Sequence, residues 1–346
     1  MNTLTVIITL ASLWPFRVLG QLTPLNQFFK PPTFPNEQTE NVTRYLNEAA
    51  AQAVDGSIHQ YFQDQCITQQ LYPALFTWPS GYVQPFSPFE GLFFVGHSGV
   101  SSWAYNTTEG IVLIDTLDNE DEIKAILLPG LQSFGLNGSE IKHVIITHEH
   151  ADHYGGAKYL QDTFKPAVYA SEVAWESMAA MGTNATPPVP TKDRVLADGD
   201  NLSVGGVDFH IVLTPGHTPG CLSLIFPVSD QGRPHMAGLS GGTGTPTDAA
   251  SREQKVRSQY KFADICQGRG VDVLLSNHQV ADHALFHADI LAHRTQRTPN
   301  PFIIGVENFD KYMKINAICK RLDQRTAAYE SMLLLPPIKT SSEPLP

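Results

Sequence analysis

Basic residues are scarce. The 346-residue chain has 23 Lys and Arg against 34 Asp and Glu, a formal net charge of −11 at pH 7 with histidine neutral. No basic cluster offsets this, which excludes sequence-independent nucleic-acid binding as the main activity. Long apolar runs are also missing. The stretch from Leu4 to Ala11 is too short to cross a bilayer, so stable membrane insertion is not expected. Cysteine is limited to Cys66, Cys221, Cys266 and Cys319, and no Cys-x-x-Cys spacing suggests a thiolate metal site or a redox pair. Up to two disulfides could form, in any of three pairings.

Apolar residues make up 42% of the chain, enough for a sizeable core. Residues 1–20 read as a secretion signal, with an apolar segment and small or neutral residues before Gln21, although the usual basic start is lacking. Five Asn-x-Ser/Thr triplets, at Asn41, Asn106, Asn137, Asn184 and Asn201, agree with a secreted, N-glycosylated protein. Four cysteines suit the same oxidising compartment. Residues 21–85 form an N-terminal extension, with a helix expected over Gln38–His59. It is followed by the main domain, 86–335, and a disordered tail, 336–346.

One stretch carries the chemistry. A short β-branched strand, Val144–Thr147, turns abruptly polar and places His148, His150, Asp152 and His153 within six residues, before Gly155 and Gly156. In an extended chain, residues two apart project to one side, so His148 and His150 can reach one ion together. Asp152 and His153 lie at the turn and can face a second. Imidazole and carboxylate are the ligands of zinc and its borderline neighbours. A single histidine in a turn is ordinarily a solvated or hydrogen-bonded residue, but three with an aspartate at this spacing point to metal. Glu149 projects the other way and is given no catalytic role.

Elsewhere strands and helices alternate. Meander-like runs cover Phe89–His97, Val100–Tyr105 and Gly110–Thr116, and a helix is expected over Glu120–Phe134. Asp115 ends the strand Ile111–Ile114. The strand Val207–Leu213 runs into Thr214-Pro-Gly-His-Thr-Pro-Gly220, a rigid turn that holds His217. The buried-looking strand Val271–Ser276 delivers His278 in the same manner. His283, His287 and His293 follow on an apparent helix and are expected to be solvated or to face substrate. A closing amphipathic helix is expected over Val306–Tyr329.

His-x-His-x-Asp-His followed by Gly-Gly resembles the signature of the metallo-β-lactamase superfamily, and the likeness extends from about Pro85 to Cys319. It implies an α/β fold, a four-layer αββα sandwich with metals at one edge. It assigns two Zn²⁺ ions, one to His148, His150 and His217 and the other to Asp152, His153 and His278, with Asp115 supporting the ligands from behind. Many members place a metal-bridging aspartate where this chain has Gly238, Leu239 and Ser240. The lack of that aspartate, with three-His and Asp-His-His sites, is most like the third subclass of metallo-β-lactamases. By the same resemblance Cys266 pairs with Cys319, and Ser240 becomes a possible substrate contact.

The resulting expectation is a secreted dinuclear zinc hydrolase acting on a small-molecule carbonyl substrate. Metal-bound hydroxide attacks, and Asp152 binds the second ion and orients the nucleophile. A cyclic amide of β-lactam type leads. An ester, lactone or thioester on the same site is the alternative, ahead of an iron-dependent oxidoreductase or a binding protein without turnover.

Overall fold

The computed structural model describes residues 34, 37–54, 56–71 and 81–322. The expected signal, the expected tail and the last residues of the expected closing helix fall outside them. Alternation along the strands explains the architecture. In β4 (Gly110–Ile114), Ile111 and Leu113 face one way and Val112 and Ile114 the other, and the two pairs enter different apolar clusters. Strands β9 (Val207–Leu213), β10 (Leu222–Asp230) and β12 (Val273–Ser276) behave alike. Phe209, Ile211, Leu224, Phe226, Val273 and Leu275 join the cluster shared with Val112 and Ile114, while Val212, Ile225 and Leu274 join a third. A strand with both faces apolar must be covered on both. Three clusters therefore separate four layers: helices, sheet, sheet, helices.

The first sheet has seven strands in sequence order: β1 (Phe86–Phe89), β2 (Leu92–Phe94), β3 (Trp103–Thr107), β4, β5 (Ile141–Ile145), β6 (Ala167–Ser171) and β7 (Arg194–Leu196). It is antiparallel through β4 and parallel from there to β7. The second has five, in the order β12, β11 (Arg233–Ser240), β10, β9 and β8 (Asn201–Val204). Residues following β4, β5 and β12, and the turn between β9 and β10, supply the chemistry discussed below. No helix among the described residues is long and apolar enough to cross a membrane.

The expected helix over Gln38–His59 is two helices, Thr39–Gln52 and Gly56–Phe62, with Gly56 opening the second. Glycine is a poor helix-interior residue, so a break there is inexpensive. Both helices pack on the closing helix, Val306–Lys320. Val42, Ala49, Ile58, Tyr61 and Cys66 share a buried cluster with Phe309, Met313, Ile315 and Cys319.

This packing overturns the expected disulfide. Cys319 is bonded to Cys66, with Cα atoms 4.8 Å apart, and Cys266 is a free, buried thiol. Cys266 lies in the same cluster, on the neighbouring helix Ala249–Gly268, but the extension brings Cys66 to Cys319 first. The extension also corrects the histidines after His278. His283 is buried, stacks on Tyr61 at 4.2 Å and lies 2.8 Å from Asp64 Oδ2 through Nε2. His287 packs against Phe302, where burial pushes its pKa down to about 3. Only His293 is exposed as expected.

The Cys66–Cys319 link spans 253 residues of sequence. Cys66→Ser, or reduction of the native protein, is expected to lower unfolding stability by about 2–5 kcal/mol. Denaturant titration would show this, and equal stability with and without reductant would contradict it.

Candidate metal centre

Asp115 follows β4 in a left-handed conformation, φ 62°. Its buried carboxylate accepts three hydrogen bonds: from Thr147 N to Oδ1 (2.7 Å), and from Thr147 Oγ1 (2.8 Å) and His153 Nδ1 (2.7 Å) to Oδ2. A carboxylate only accepts, so His153 must carry its proton on Nδ1 there, and Nε2 turns to the site. His278 is fixed likewise, its Nδ1 donating to Gly99 O at 2.8 Å.

Two groups of donors result. Those of His148, His150 and His217 lie within 4.8 Å of one another, as do those of Asp152, His153 and His278. The groups adjoin, since the His148 and His153 ring centroids are 4.1 Å apart. His153 Nε2 lies 3.1 Å from His278 Nε2 and 3.1 Å from Asp152 Oδ2. Lone pairs this close repel unless a proton or a cation lies among them. His148 Nε2 is buried without a hydrogen-bond partner. A nitrogen and oxygen donor set with an orphaned buried nitrogen fits a divalent ion such as zinc.

Electrostatics agree. Burial, with neighbouring imidazoles, pushes His148 well below its ordinary pKa. Burial and then Lys255 bring His217 to about 2, while burial and then His153 bring His278 to about 4. These rings are neutral, as ligation requires. Burial opposes a charge on His153, but Asp115 and then Asp152 outweigh it and raise the ring to about 10. Burial also opposes ionisation of Asp152, yet His153 holds it well below the carboxylate range. A cation held by the second group would take the place of the proton that His153 otherwise keeps.

The loops are built to converge. Thr147 O accepts from Leu222 N at 2.9 Å, joining the sheets beneath the site. Asn277 Nδ2 donates to Thr147 Oγ1 (2.9 Å) and to Gly241 O (2.7 Å). Gly155 and Gly156 have ordinary negative φ, so turning is not their purpose. A Cβ on Gly155 would lie 1.9 Å from Asp118 O, and one on Gly156 2.2 Å from Ile123, so close packing requires glycine there.

Glu149 has a structural part that the sequence did not reveal. Its buried carboxylate accepts from Thr218 Oγ1 (2.8 Å) and Gly220 N (3.2 Å), tying the His148–His150 segment to the His217 turn. Only the tertiary approach of two segments 69 residues apart makes this visible. Ser240 ends β11 opposite Ser276 and belongs to neither donor group. Asp248 caps helix Ala249–Gly268 by accepting from Ser251 N. A further His97, Asp118, Glu122 group also escaped the sequence reading. His97 Nδ1 accepts from Gly99 N and Val100 N, so Nε2 carries the proton and donates toward Asp118 Oδ2 at 3.2 Å. That ring is satisfied by hydrogen bonds.

Residues 95–230 match the family model of the metallo-beta-lactamase superfamily. This stretch belongs to that superfamily. Among solved structures, the chain is similar to a Cronobacter sakazakii metallo-beta-lactamase described by a HARLDQ motif. Identity is 27%, covering 71% of this chain and 96% of that one, with a TM-score of 0.56. A subclass B3 metallo-beta-lactamase of Bradyrhizobium japonicum shares the fold at 22% identity and a TM-score of 0.59, over 73% of this chain and 98% of that one. A Klebsiella pneumoniae hydroxyacylglutathione hydrolase is 35% identical over 96 residues, 27% of this chain. The match spans only 32% of that protein, and 41% of the next such hydrolase, from Idiomarina loihiensis.

Asp115→Ala frees the His153 tautomer and removes the acceptor of the Thr147 N–H. It is expected to weaken metal retention about 10- to 100-fold, measured by chelator competition. Glu149→Ala is expected to loosen the three-histidine group more than the other. Equal metal release from both groups in that variant, followed by cobalt absorption, would contradict the assigned clasp.

Proposed function

We propose that this protein is a secreted, zinc-dependent hydrolase that opens a carbonyl substrate, with a cyclic amide of β-lactam type as the leading class. The convergence of two adjoining donor groups, three histidines beside Asp152, His153 and His278, carries the reading. Zinc held there would supply Lewis acidity and a water whose pKa is lowered toward about 7. The neutral rings of His148, His150 and His217 are free to ligate. Asp115 keeps His153 Nε2 aimed at the site, and Gly99 O does the same for His278. Asp152 stays ionised and can accept a hydrogen bond from the attacking water, which orients it toward the carbonyl.

The lack of a carboxylate at Gly238, Leu239 and Ser240 and the likeness to solved metallo-beta-lactamases favour a cyclic amide. Relatives named hydroxyacylglutathione hydrolase favour the second reading, an ester or thioester on the same residues. Secretion draws support from the Cys66–Cys319 disulfide, since such bonds persist in oxidising compartments. Asn106, Asn137, Asn184 and Asn201 are exposed, as N-glycosylation requires.

Elemental analysis of the mature protein, with a chromogenic β-lactam, a lactone and a thioester as substrates, tests the proposal. About two zinc per chain and lactam opening stopped by a chelator are the expected result. His148→Ala and Asp152→Ala should each lose nearly all turnover while remaining folded by circular dichroism. Thioester or lactone turnover alone would replace the substrate class, and iron in place of zinc would overturn the hydrolase mechanism.

A further inference from the structure

A cavity of about 60 Å³ lies between the N-terminal extension, the segment that follows His278 and the loop that follows β11. It has room for roughly four water molecules. Val280 and Ala281 line it, two and three residues after His278. Gly244 lines it from the other loop, packed so closely on the His217 ring that a Cβ would lie 2.3 Å from Cε1. The cavity thus adjoins the segment that bears His278 and a loop that packs on the His217 ring.

Side-chain amides dominate its polar wall: Gln65 and Gln69 from the extension, Gln259 from helix Ala249–Gly268, and Asn316 from the closing helix. Gln259 is 7% exposed, and its Oε1 is buried with no hydrogen-bond partner. A buried carbonyl acceptor is costly to leave unpaired, so such an atom calls for a donor from outside. On the other side, the buried Lys320 ammonium donates to Gln69 Oε1 at 2.9 Å and to Gln65 Oε1 at 3.5 Å. An ammonium cannot accept, so it takes both amide oxygens and leaves their Nε2 groups as donors for other partners. The Cys66–Cys319 disulfide sits beside this arrangement, with Cys66 next to Gln65 and Cys319 next to Lys320.

We propose that the cavity is a substrate subsite for a neutral amide group, a choice that rests on the hydrolase reading above. The amide N–H would pair with Gln259 Oε1, and its carbonyl would accept from Gln65 and Gln69. No residue lining the cavity carries a charged side chain. A carboxylate would meet the Gln259 oxygen with no proton to offer, and an ammonium would face the Lys320 charge behind the glutamines. An amide is both donor and acceptor, and it satisfies each side.

Paired carbonyl substrates that differ only in a pendant carboxamide, against an isosteric ketone, test this. The amide member is expected to have a KM about tenfold lower, the value of one good hydrogen bond. In Gln259→Leu and in Gln69→Met that ratio should fall to about one. A ratio near one in the native protein, or one retained in both variants, overturns the subsite while leaving the hydrolase reading intact. Acetamide binding to the zinc-loaded protein, followed through ¹⁵N-glutamine side-chain resonances, tests it without turnover. Saturable shifts lost in Gln259→Leu support the subsite even where no substrate is hydrolysed. Unchanged resonances at the highest soluble acetamide concentration mean that the cavity holds water only, and overturn it.

Discussion

A single buried carboxylate organises the candidate centre. Asp115 ends β4, and its three acceptor contacts fix the residue before His148, the hydroxyl beside it and the ring of His153. An ionised group at full burial is tolerable only when its oxygens are so filled. The same contacts dictate which nitrogen of His153 faces outward. Through Thr147, the network continues to Asn277 and Gly241, and so reaches the other sheet. The donor groups are therefore held by sheet ends and by hydrogen bonds between them, with the mobile side-chain choices already made.

The four layers explain why such rigidity is available. Strands from both sheets bury apolar residues on each face, so the strand ends near the site emerge from a packed core. Close contacts then leave no room for side chains at Gly155, Gly156, Gly220 and Gly244, each of which brings backbone against backbone or against a functional side chain. Glu149 joins its own histidine-bearing segment to the His217 turn by accepting from Thr218 and Gly220.

The N-terminal extension is integral to this chain. Its helices cover the closing helix, and its Cys66 is bonded to Cys319. It supplies Asp64 and Tyr61 to His283, and Gln65 and Gln69 to a cavity beside the donor groups. The solved metallo-beta-lactamase compared above, at 27% identity, covers 71% of this chain, so part of this chain has no counterpart in that match.

The sequence by itself pointed to the candidate donor residues, and the resemblance carried by their motif implied the layered fold. His148, His150, Asp152 and His153 are local to one strand end, and His217 and His278 each follow a strand that periodicity reveals, so short-range pattern suffices. The meander, the helix over Glu120–Ser133 and the closing helix follow for the same reason. Only the tertiary structure decided the pairing of Cys319, the burial of His283 and His287, the clasp at Glu149 and the amide wall around Gln259. Each of these depends on segments far apart in the chain meeting in the core. No local periodicity encodes such a meeting, because it is fixed by how whole layers pack and by which buried polar groups find partners when they do.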